Sequence, residues 1–364
     1  APKDCDFGGT RRARVSSQSW KRAMRDFFAK ENLVPADNRA VRSKRLIGEI
    51  GRRLEEQGHD ADMASSAAEV MLGGLGLTAD ESGKTQYLLY LGEGEIDNLA
   101  RYASEHWDQF QKAVDPSLPA RDRKKVAGEA IDKITRQDLL QRLDGGKAAD
   151  LALFGRMLAD LPNRNVDGAA QVAHAISTNA VEVEFDFYTA VDDLRPEDTG
   201  GADMLGTIEY VSSTLYRYAN LDVNLLTSNL QGDRDLVQTT TRAFADAFVR
   251  SLPTGKQNSM AAHNPPSLAV AVVRESGRWS LANAFVEAVR PRRQQDLMQL
   301  SVQRLGDYWT RIAGMYGDDA IVSTPLLVDR AYAADAAAFG GAAGTIQHWL
   351  DTVMEDLYQG VVPA

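Results

Sequence analysis

The apolar positions at the start of the chain alternate first with a two-residue period and then with a helical period. In residues 11–15, RRARV, Arg12 and Arg14 fall on one side of an extended segment, and Ala13 and Val15 fall on the other. This alternation predicts a strand. A helix is expected directly after it, because the spacing between apolar residues changes there to three and four.

The segment from residue 18 to residue 30 predicts an amphipathic helix, with either Ser16 or Ser17 as its N-cap. Its apolar side consists of Trp20, Met24, Phe27 and Phe28. Its opposite side is polar and basic and consists of Gln18, Lys21, Arg22 and Arg25. The helix should therefore present a cationic surface once its apolar side packs on the rest of the protein.

Farther along, helical spacing predominates over residues 35–148, which indicates a helical insertion or subdomain. Extended segments are predicted at 150–157, at 181–191 and at 207–219. The long Asp- and Gly-rich loop between the last two favours a projecting arm over a tight hairpin.

The last third of the chain alternates helical and extended patterns. Helices are predicted at 233–251, within 281–313 and at 344–358, and a strand is predicted at 267–273. Helices and strands interleaved in this way favour an α/β or α+β sheet core.

The charge of the chain is concentrated at its beginning. The whole chain has a formal net charge of −10, but residues 1–45 carry twelve Lys and Arg against five Asp and Glu. Residues 11–25 contain six of these basic residues and no acid. A polyanion would be attracted to this region and repelled by much of the remainder, which favours a confined groove over a general basic coat.

Residues that commonly carry catalysis or bind metals form no recognisable pattern. The five histidines lack a metal-binding spacing, and no nucleophile elbow, phosphate-binding loop or dinucleotide fingerprint is present. His174 is interpreted as a core histidine. The single cysteine, Cys5, excludes an internal disulfide and a thiolate zinc cage. We therefore predict no catalytic residue, no metal site and no cofactor.

No apolar run approaches the ~20 residues that a membrane helix requires. The start, APKDCDFGG, has neither the charged nor the apolar region of a secretory signal. Together with the lone cysteine, these features predict a cytoplasmic protein without a membrane partner.

Two interpretations of the basic segment remain open. The N-terminus of the predicted helix offers free N–H groups that suit phosphate, and Arg12 and Arg14 extend this surface along the strand. The alternative is an ordinary amphipathic helix with a solvated basic face. A loop at 253–266 offers Lys256 as a further phosphate contact, although a plain surface loop is the simpler interpretation there.

The chain resembles a known family in several ordered blocks. The opening KDCDFGGTRRARVSSQSWKRAMR resembles the first motif of the backbone (CasC-family) subunit of Cascade, the type I-E CRISPR surveillance complex. Later blocks are similar in the same order: LFGRM, AHAIST, FDFYTAVDDL, LGTIEYVSSTLYRYAN, TGKQNSMAAHNP and SLANAFVEAV. The helical block at 35–148 is the least recognisable part.

The resemblance implies an α+β fold with three parts. A modified RNA-recognition-motif (ferredoxin-like) palm would comprise 1–34, 149–190 and 208–364, a helical fingers insertion 35–148, and a β-hairpin thumb arm 191–207. The family also has a strand and a polar loop ahead of the opening motif. Neither is present in this sequence, so the palm sheet would lack one strand, and we expect the N-terminus to be trimmed.

The resemblance further implies a non-catalytic subunit that polymerises head to tail along CRISPR RNA and presents it for pairing with target DNA in antiviral defence. Each thumb of the family folds over the RNA and flips one base. The implied partners are the guide RNA, target DNA through the guide, further copies of the chain, the large, small, RNA-capping and repeat-processing subunits, and a recruited helicase-nuclease.

Transferred by motif, the guide-backbone contacts of the family fall on Lys3, Ser16, Gln18, Lys21, Arg22 and Arg25. Met157 in GRM corresponds to a residue packed against the displaced base, and Met204 and Leu205 are the expected thumb wedges. Two other functions stay open. Related type III subunits cut target RNA with a thumb-loop aspartate, for which this chain offers Asp192, Asp193, Asp198 and Asp203. The other is a free-standing RNA-binding module.

Overall fold

The computed structural model describes residues 2–80, 82–113, 131–190, 204–291 and 293–359. The chain divides into two compact units. The first comprises Ala1–Met24, Val172–Asn220 and Ala245–Ala364, and the second comprises Arg25–Gln171 and Leu221–Phe244. No helix in the described part of the chain is long and apolar enough to cross a membrane.

The described residues form helices and strands that are numbered in chain order. The α-helices are α1 (Ser17–Lys30), α2 (Leu46–Glu56), α3 (Ala61–Gly74), α4 (Glu93–Glu105), α5 (Trp107–Ala113), α6 (Lys133–Gln141), α7 (Ala149–Phe154), α8 (Val223–Asn229), α9 (Arg234–Arg250), α10 (Gln257–Met260), α11 (Leu297–Tyr316) and α12 (Ile346–Gln359). The strands are β1 (Asp4–Phe7), β2 (Thr10–Val15), β3 (Ala40–Ser43), β4 (Leu89–Gly92), β5 (Ala170–Val172), β6 (Ala175–Ser177), β7 (Glu184–Ala190), β8 (Met204–Tyr210), β9 (Leu215–Tyr216), β10 (Ala219–Leu221), β11 (Leu268–Val270), β12 (Val273–Arg274), β13 (Ile321–Ser323), β14 (Leu326–Val328) and β15 (Ala342–Ala343).

The first unit contains an antiparallel sheet of β1, β2, β6 and β9, in that order. The predicted strand at 11–15 is confirmed within β2. Its partner β1 was not predicted, because its sequence DCDF contains two aspartates, which are uncommon in strands. Gly8 and Gly9 turn the chain between them with φ angles of 61° and 74°. A Cβ on Gly8 would lie 1.7 Å from the Val286 carbonyl oxygen, so only glycine fits.

The strands β7 and β8 pair along their whole length, from Glu184 opposite Tyr210 to Ala190 opposite Met204. Both predicted extended segments are therefore confirmed in part, although the second breaks into β8, β9 and β10. Residues 191–203, which include most of the predicted thumb arm and the four thumb-loop aspartates, lie outside the described residues.

The remainder of the first unit packs two helices against short sheets. The strands β11, β14 and β15 form one sheet, and β12 pairs with β13. Trp309 of α11 and Phe339 belong to one buried cluster, and Trp349 and Leu350 of α12 belong to another. The predicted C-terminal helix is confirmed as α12, whereas the predicted strand at 267–273 is divided between β11 and β12.

The second unit is largely helical, as the spacing at 35–148 predicts. The stripe Leu46, Ile47, Ile50 and Leu54 of α2 is buried against α3 and α4 in one large cluster. The unit also contains an antiparallel pair of strands, β3 and β4, which the helical spacing at 35–148 did not predict.

The strand predicted at 150–157 is wrong, because α7 occupies Ala149–Phe154. All residues from Ala149 to Leu153 are buried. The segment therefore lacks the polar–apolar periodicity that distinguishes a helix from a strand. Alanine and leucine favour a helix locally. Gly155, with φ of 76°, then ends it.

Candidate nucleic-acid interface

The helix α1 exposes only part of the polar face that its spacing predicts. Trp20, Met24 and Phe28 are buried as expected. Gln18 and Arg22 are exposed, but Lys21 is half-buried. The exposed side of the helix also contains Ser19, Asp26 and Lys30. Of the predicted polar face, Gln18 and Arg22 are exposed, whereas Lys21 and Arg25 are half-buried.

Arg25 is committed to contacts inside the second unit. Its Nε donates to Asp150 Oδ2 at 2.7 Å, and its Nη2 donates to the Ala40 carbonyl oxygen at 2.9 Å. The guanidinium also lies over the ring of Tyr90, 4.6 Å from the centroid. Burial lowers the pKa of Arg25, but Tyr90 and Asp150 outweigh it and raise the pKa above the ordinary value. Arg25, a predicted phosphate contact, is thus engaged in an ion pair with Asp150.

Arg12, another predicted RNA contact, is fully buried in the first unit. Its guanidinium donates to backbone carbonyl oxygens of two separate segments, those of Ser177, Thr178, Phe285 and Val286, at 2.8 to 3.2 Å. Its Nε donates to Thr10 Oγ1 at 2.8 Å. All three nitrogens of its guanidinium donate to protein acceptors, so Arg12 links β2 to these two segments.

The junction between β2 and α1 collects several of the predicted residues on the first unit. The Arg14 backbone N–H donates to the Lys3 carbonyl oxygen at 2.8 Å, which places these two basic residues side by side. Lys3 is exposed, and Arg14 is half-buried with its Nε 3.3 Å from the Asp4 carbonyl oxygen. Ser16 follows at the end of the strand, and its carbonyl oxygen accepts the Trp20 N–H.

His174 lies at the same junction, where the sequence pattern predicted a core histidine. The residue is exposed, and its Nδ1 accepts the Ser17 backbone N–H at the first position of α1, at 2.8 Å. In the neutral ring Nε2 then carries the proton. His174 is thus a polar group that sequence reasoning missed, and its place in the AHAIST block was the signal that could have found it. We call Lys3, Arg14, Ser16, Gln18 and His174 the junction cluster.

Two further predicted RNA contacts, Met157 and Lys256, lie outside the junction cluster. Met157, in the second unit, is 80% exposed. Lys256, in the first unit, is exposed and adopts a left-handed conformation with φ of 62° immediately before α10. Gln257 closes this loop, since its Nε2 donates to the Pro253 and Ala262 carbonyl oxygens at 3.2 and 3.1 Å.

The paired strands β7 and β8 carry exposed aromatic side chains. Phe185 is 62% exposed and Phe187 is 68% exposed. Tyr188, on the other face of the pair, covers Gly206, where a Cβ would lie 2.3 Å from the ring. Of the two predicted wedges, Met204 pairs with Ala190 and Leu205 with Thr189 at the start of β8.

Among the described residues, no group of three or more His, Cys, Asp or Glu side chains is arranged so that it could hold a metal ion.

Comparison with known proteins establishes the family. A family profile described as "CT1975-like protein" matches residues 1–352. The chain belongs to this family. The CT1975-like chain is also similar to a chain of a solved structure described as "CRISPR RNA-guided surveillance complex, pre-nicking". The two are 33% identical with a TM-score of 0.79, over 98% of this chain and 94% of the other.

A second solved structure, described as "CRISPR RNA-guided surveillance complex", has a chain with 28% identity and a TM-score of 0.68. The match covers 97% of the CT1975-like chain and 92% of that chain. No curated protein matches the CT1975-like chain. The similarity to both structures extends over nearly the full length, so both units of the CT1975-like chain have counterparts in them.

Proposed function

We propose that this CT1975-like protein is a non-catalytic, guide-RNA-binding backbone subunit of a CRISPR surveillance complex. The observation that carries the proposal is the full-length similarity, at 33% identity, to a chain of an RNA-guided surveillance complex. The junction cluster supports it independently, since cationic and hydrogen-bonding groups beside a helix N-terminus suit a sugar–phosphate backbone. In such complexes base pairing reads the sequence, so the protein has only to hold the guide.

The order of the sequence motifs supports a CasC-like subunit of a type I-E Cascade with a palm derived from the RNA recognition motif. In this proposal β1, β2, β6 and β9 belong to the palm, the largely helical second unit supplies the fingers, and β7 and β8 form the base of the thumb. Copies assemble head to tail along one guide in the cytoplasm. The other Cascade subunits, the helicase-nuclease and target DNA join through that assembly.

The proposed guide contacts follow the side chains that can reach a ligand. Lys3, Arg14, Ser16, Gln18, Lys21, Arg22 and Lys256 contact the phosphates and sugars. Met157 packs against a displaced base, and Met204 and Leu205 wedge beside it. Arg12 and Arg25 leave the set, because their donors serve the protein itself.

The test is to express the chain with a matching CRISPR RNA and to isolate it under native conditions. We expect particles larger than one protomer that carry RNA of one defined length on a denaturing gel. Protein that elutes as a monomer and carries RNA of mixed lengths would instead identify a free-standing RNA-binding module.

The second candidate, RNA-guided cleavage of target RNA, is tested in the same preparation. Labelled RNA complementary to the guide is incubated with Mg²⁺ and separated on a gel. Intact RNA is expected. Regular fragments that disappear after replacement of Asp192, Asp193, Asp198 and Asp203 by alanine would replace our proposal with a ribonuclease.

A further inference from the structure

Met157 is an exposed side chain on an unusually well-anchored stretch of backbone. It is 80% exposed, whereas Arg156 before it and Leu158 after it are 4% and 1% exposed. A single exposed apolar side chain is common on a protein surface, and what distinguishes Met157 is that both of its neighbours in the chain are buried.

Arg156 anchors the chain on one side of Met157 through its side chain. Its Nη1 donates to both carboxylate oxygens of Glu95, at 2.8 and 2.6 Å, and both side chains are completely buried. The same guanidinium donates to three backbone carbonyl oxygens, those of Tyr90, Leu143 and Arg164, at 3.1 to 3.3 Å.

Glu95 is in turn fixed by the backbone around it. One of its oxygens accepts the Gly92 N–H at 2.8 Å, and the other accepts the Gly145 N–H at 2.7 Å. Gly92 has no room for a side chain, because a Cβ would lie 2.6 Å from the Gly145 carbonyl oxygen. The Glu95–Arg156 pair therefore joins the start of α4, the segment before α7 and the GRM motif.

The backbone on either side of Met157 is bonded as well. Arg156 and Val166 exchange two backbone hydrogen bonds, each of 2.9 Å. On the other side, the Leu158 N–H donates to Asn165 Oδ1 at 2.7 Å. Met157 thus projects from a backbone that is held at both of its neighbours.

A buried ion pair is weak evidence for stability, because desolvation offsets much of the attraction, and a better-attested use is to impose one geometry. Resting on the function proposed above, we infer that Glu95, Arg156 and Asn165 are positioning residues that hold Met157 against one unstacked base of the guide. A thioether suits this task, since it packs well on an aromatic face and adapts to any base. That tolerance matches a protein that reads no guide sequence.

The experiment uses the complete complex with guides that carry 2-aminopurine, whose fluorescence rises when the base leaves the stack, at successive positions. The wild type should show bright positions at regular intervals. Met157→Ala should change the emission at those positions, because removal of a sulfur–aromatic interaction shifts the equilibrium between packed and unpacked base by about two- to tenfold. Met315→Ala is the matched control, since Met315 is 73% exposed and lies on the first unit.

Asn165→Ala and Glu95→Gln should change the same positions in the same direction as Met157→Ala, while RNA retention stays at the wild-type level. Asn165→Ala removes one hydrogen bond and leaves the ion pair, so it stays informative if Glu95→Gln does not fold. A merely structural role would lower the melting temperature and leave the bright positions as in the wild type.

The outcomes separate the two proposals. Wild-type emission in a folded Asn165→Ala variant, with altered emission in Met157→Ala, would overturn the positioning role. Wild-type emission in Met157→Ala would overturn the base contact and leave backbone binding intact. Failure of the wild type to retain guide RNA would overturn the proposed function and this inference together.

Discussion

The guanidinium of Arg217 lies directly over the indole of Trp20, 3.5 Å from the ring centroid. The ring of Phe248 lies 4.5 Å away. The Nε and Nη2 atoms of Arg217 are buried and have no hydrogen-bond partner among the described residues. Burial lowers the pKa of Arg217 to about 9. Trp20 of α1 is therefore packed on a buried cation that two aromatic rings of the first unit help to stabilise.

We predict that Arg217→Met leaves the free energy of unfolding at neutral pH unchanged or raises it by up to about 2 kcal/mol, since an apolar side chain of similar length removes a desolvated charge. Chemical denaturation measures this change. Arg274→Met is the matched control. Arg274 also lies over an indole, that of Trp279, and burial lowers its pKa too, but its Nε donates to the Ser276 carbonyl oxygen at 2.9 Å, so its replacement should cost about 1 kcal/mol.

The pH dependence of stability tests the same arginine independently. Because the pKa of Arg217 is lowered in the folded protein, the unfolded chain holds the proton more tightly, and stability should rise as the pH increases above about 9. Arg217→Met should lack this component of the rise. A loss of more than about 1 kcal/mol in Arg217→Met at neutral pH would show that the cation–π contacts outweigh desolvation.

A second prediction concerns the contribution of Arg25 to stability. Arg25→Ala leaves the buried carboxylate of Asp150 without its charged partner and should lower the free energy of unfolding by about 3 kcal/mol. Its neighbour Arg22 is exposed, so Arg22→Ala should change stability by less than about 0.5 kcal/mol. Urea titration measures both. Equal stability losses would contradict the structural assignment of Arg25.

A third prediction concerns Lys3 of the junction cluster and the exposed Arg22 of α1. Lys3→Ala combined with Arg22→Ala should weaken guide binding and reduce the slope of log affinity against log salt by about 0.7 for each phosphate ligand removed. Filter binding across a salt series measures the slope. Arg101→Ala, which removes an exposed arginine of α4, should keep the wild-type slope. A wild-type slope in the double variant would exclude both side chains as phosphate ligands.

Local patterns were enough to predict some parts of the molecule and not others. The helical spacing of Trp20, Met24 and Phe28 sufficed to place α1 and its buried side, because that information lies within one helix. The same spacing placed Gln18 and Arg22 correctly on the exposed side but misplaced Arg25. Arg25 lies on the polar side of the projection, yet Asp150 and Ala40, which are distant in sequence, draw it into the protein.

The same limit explains Arg12. Strand alternation correctly put it opposite Ala13 and Val15, but its acceptors are carbonyl oxygens near residues 177 and 285, which no local pattern connects to β2. His174 was misread for the opposite reason. Its apolar neighbours suggested burial, whereas the start of α1 supplies a donor at the surface. Only the tertiary contacts show which of the basic residues in the opening motif are engaged inside the protein.

The last prediction separates strain from charge at Lys256. A left-handed conformation costs an ordinary residue about 1–2 kcal/mol, which exceeds the extra chain entropy of glycine, about 0.5–1 kcal/mol. Lys256→Gly should therefore raise the free energy of unfolding slightly, by about 0.5–1 kcal/mol, and Lys256→Gln should leave it unchanged. Thermal melting compares the two variants with the wild type.

Guide binding should not distinguish these variants if the charge is what matters. Both remove one cation, so both should reduce the salt slope by about 0.7. A normal slope in Lys256→Gln would show that Lys256 contacts no phosphate.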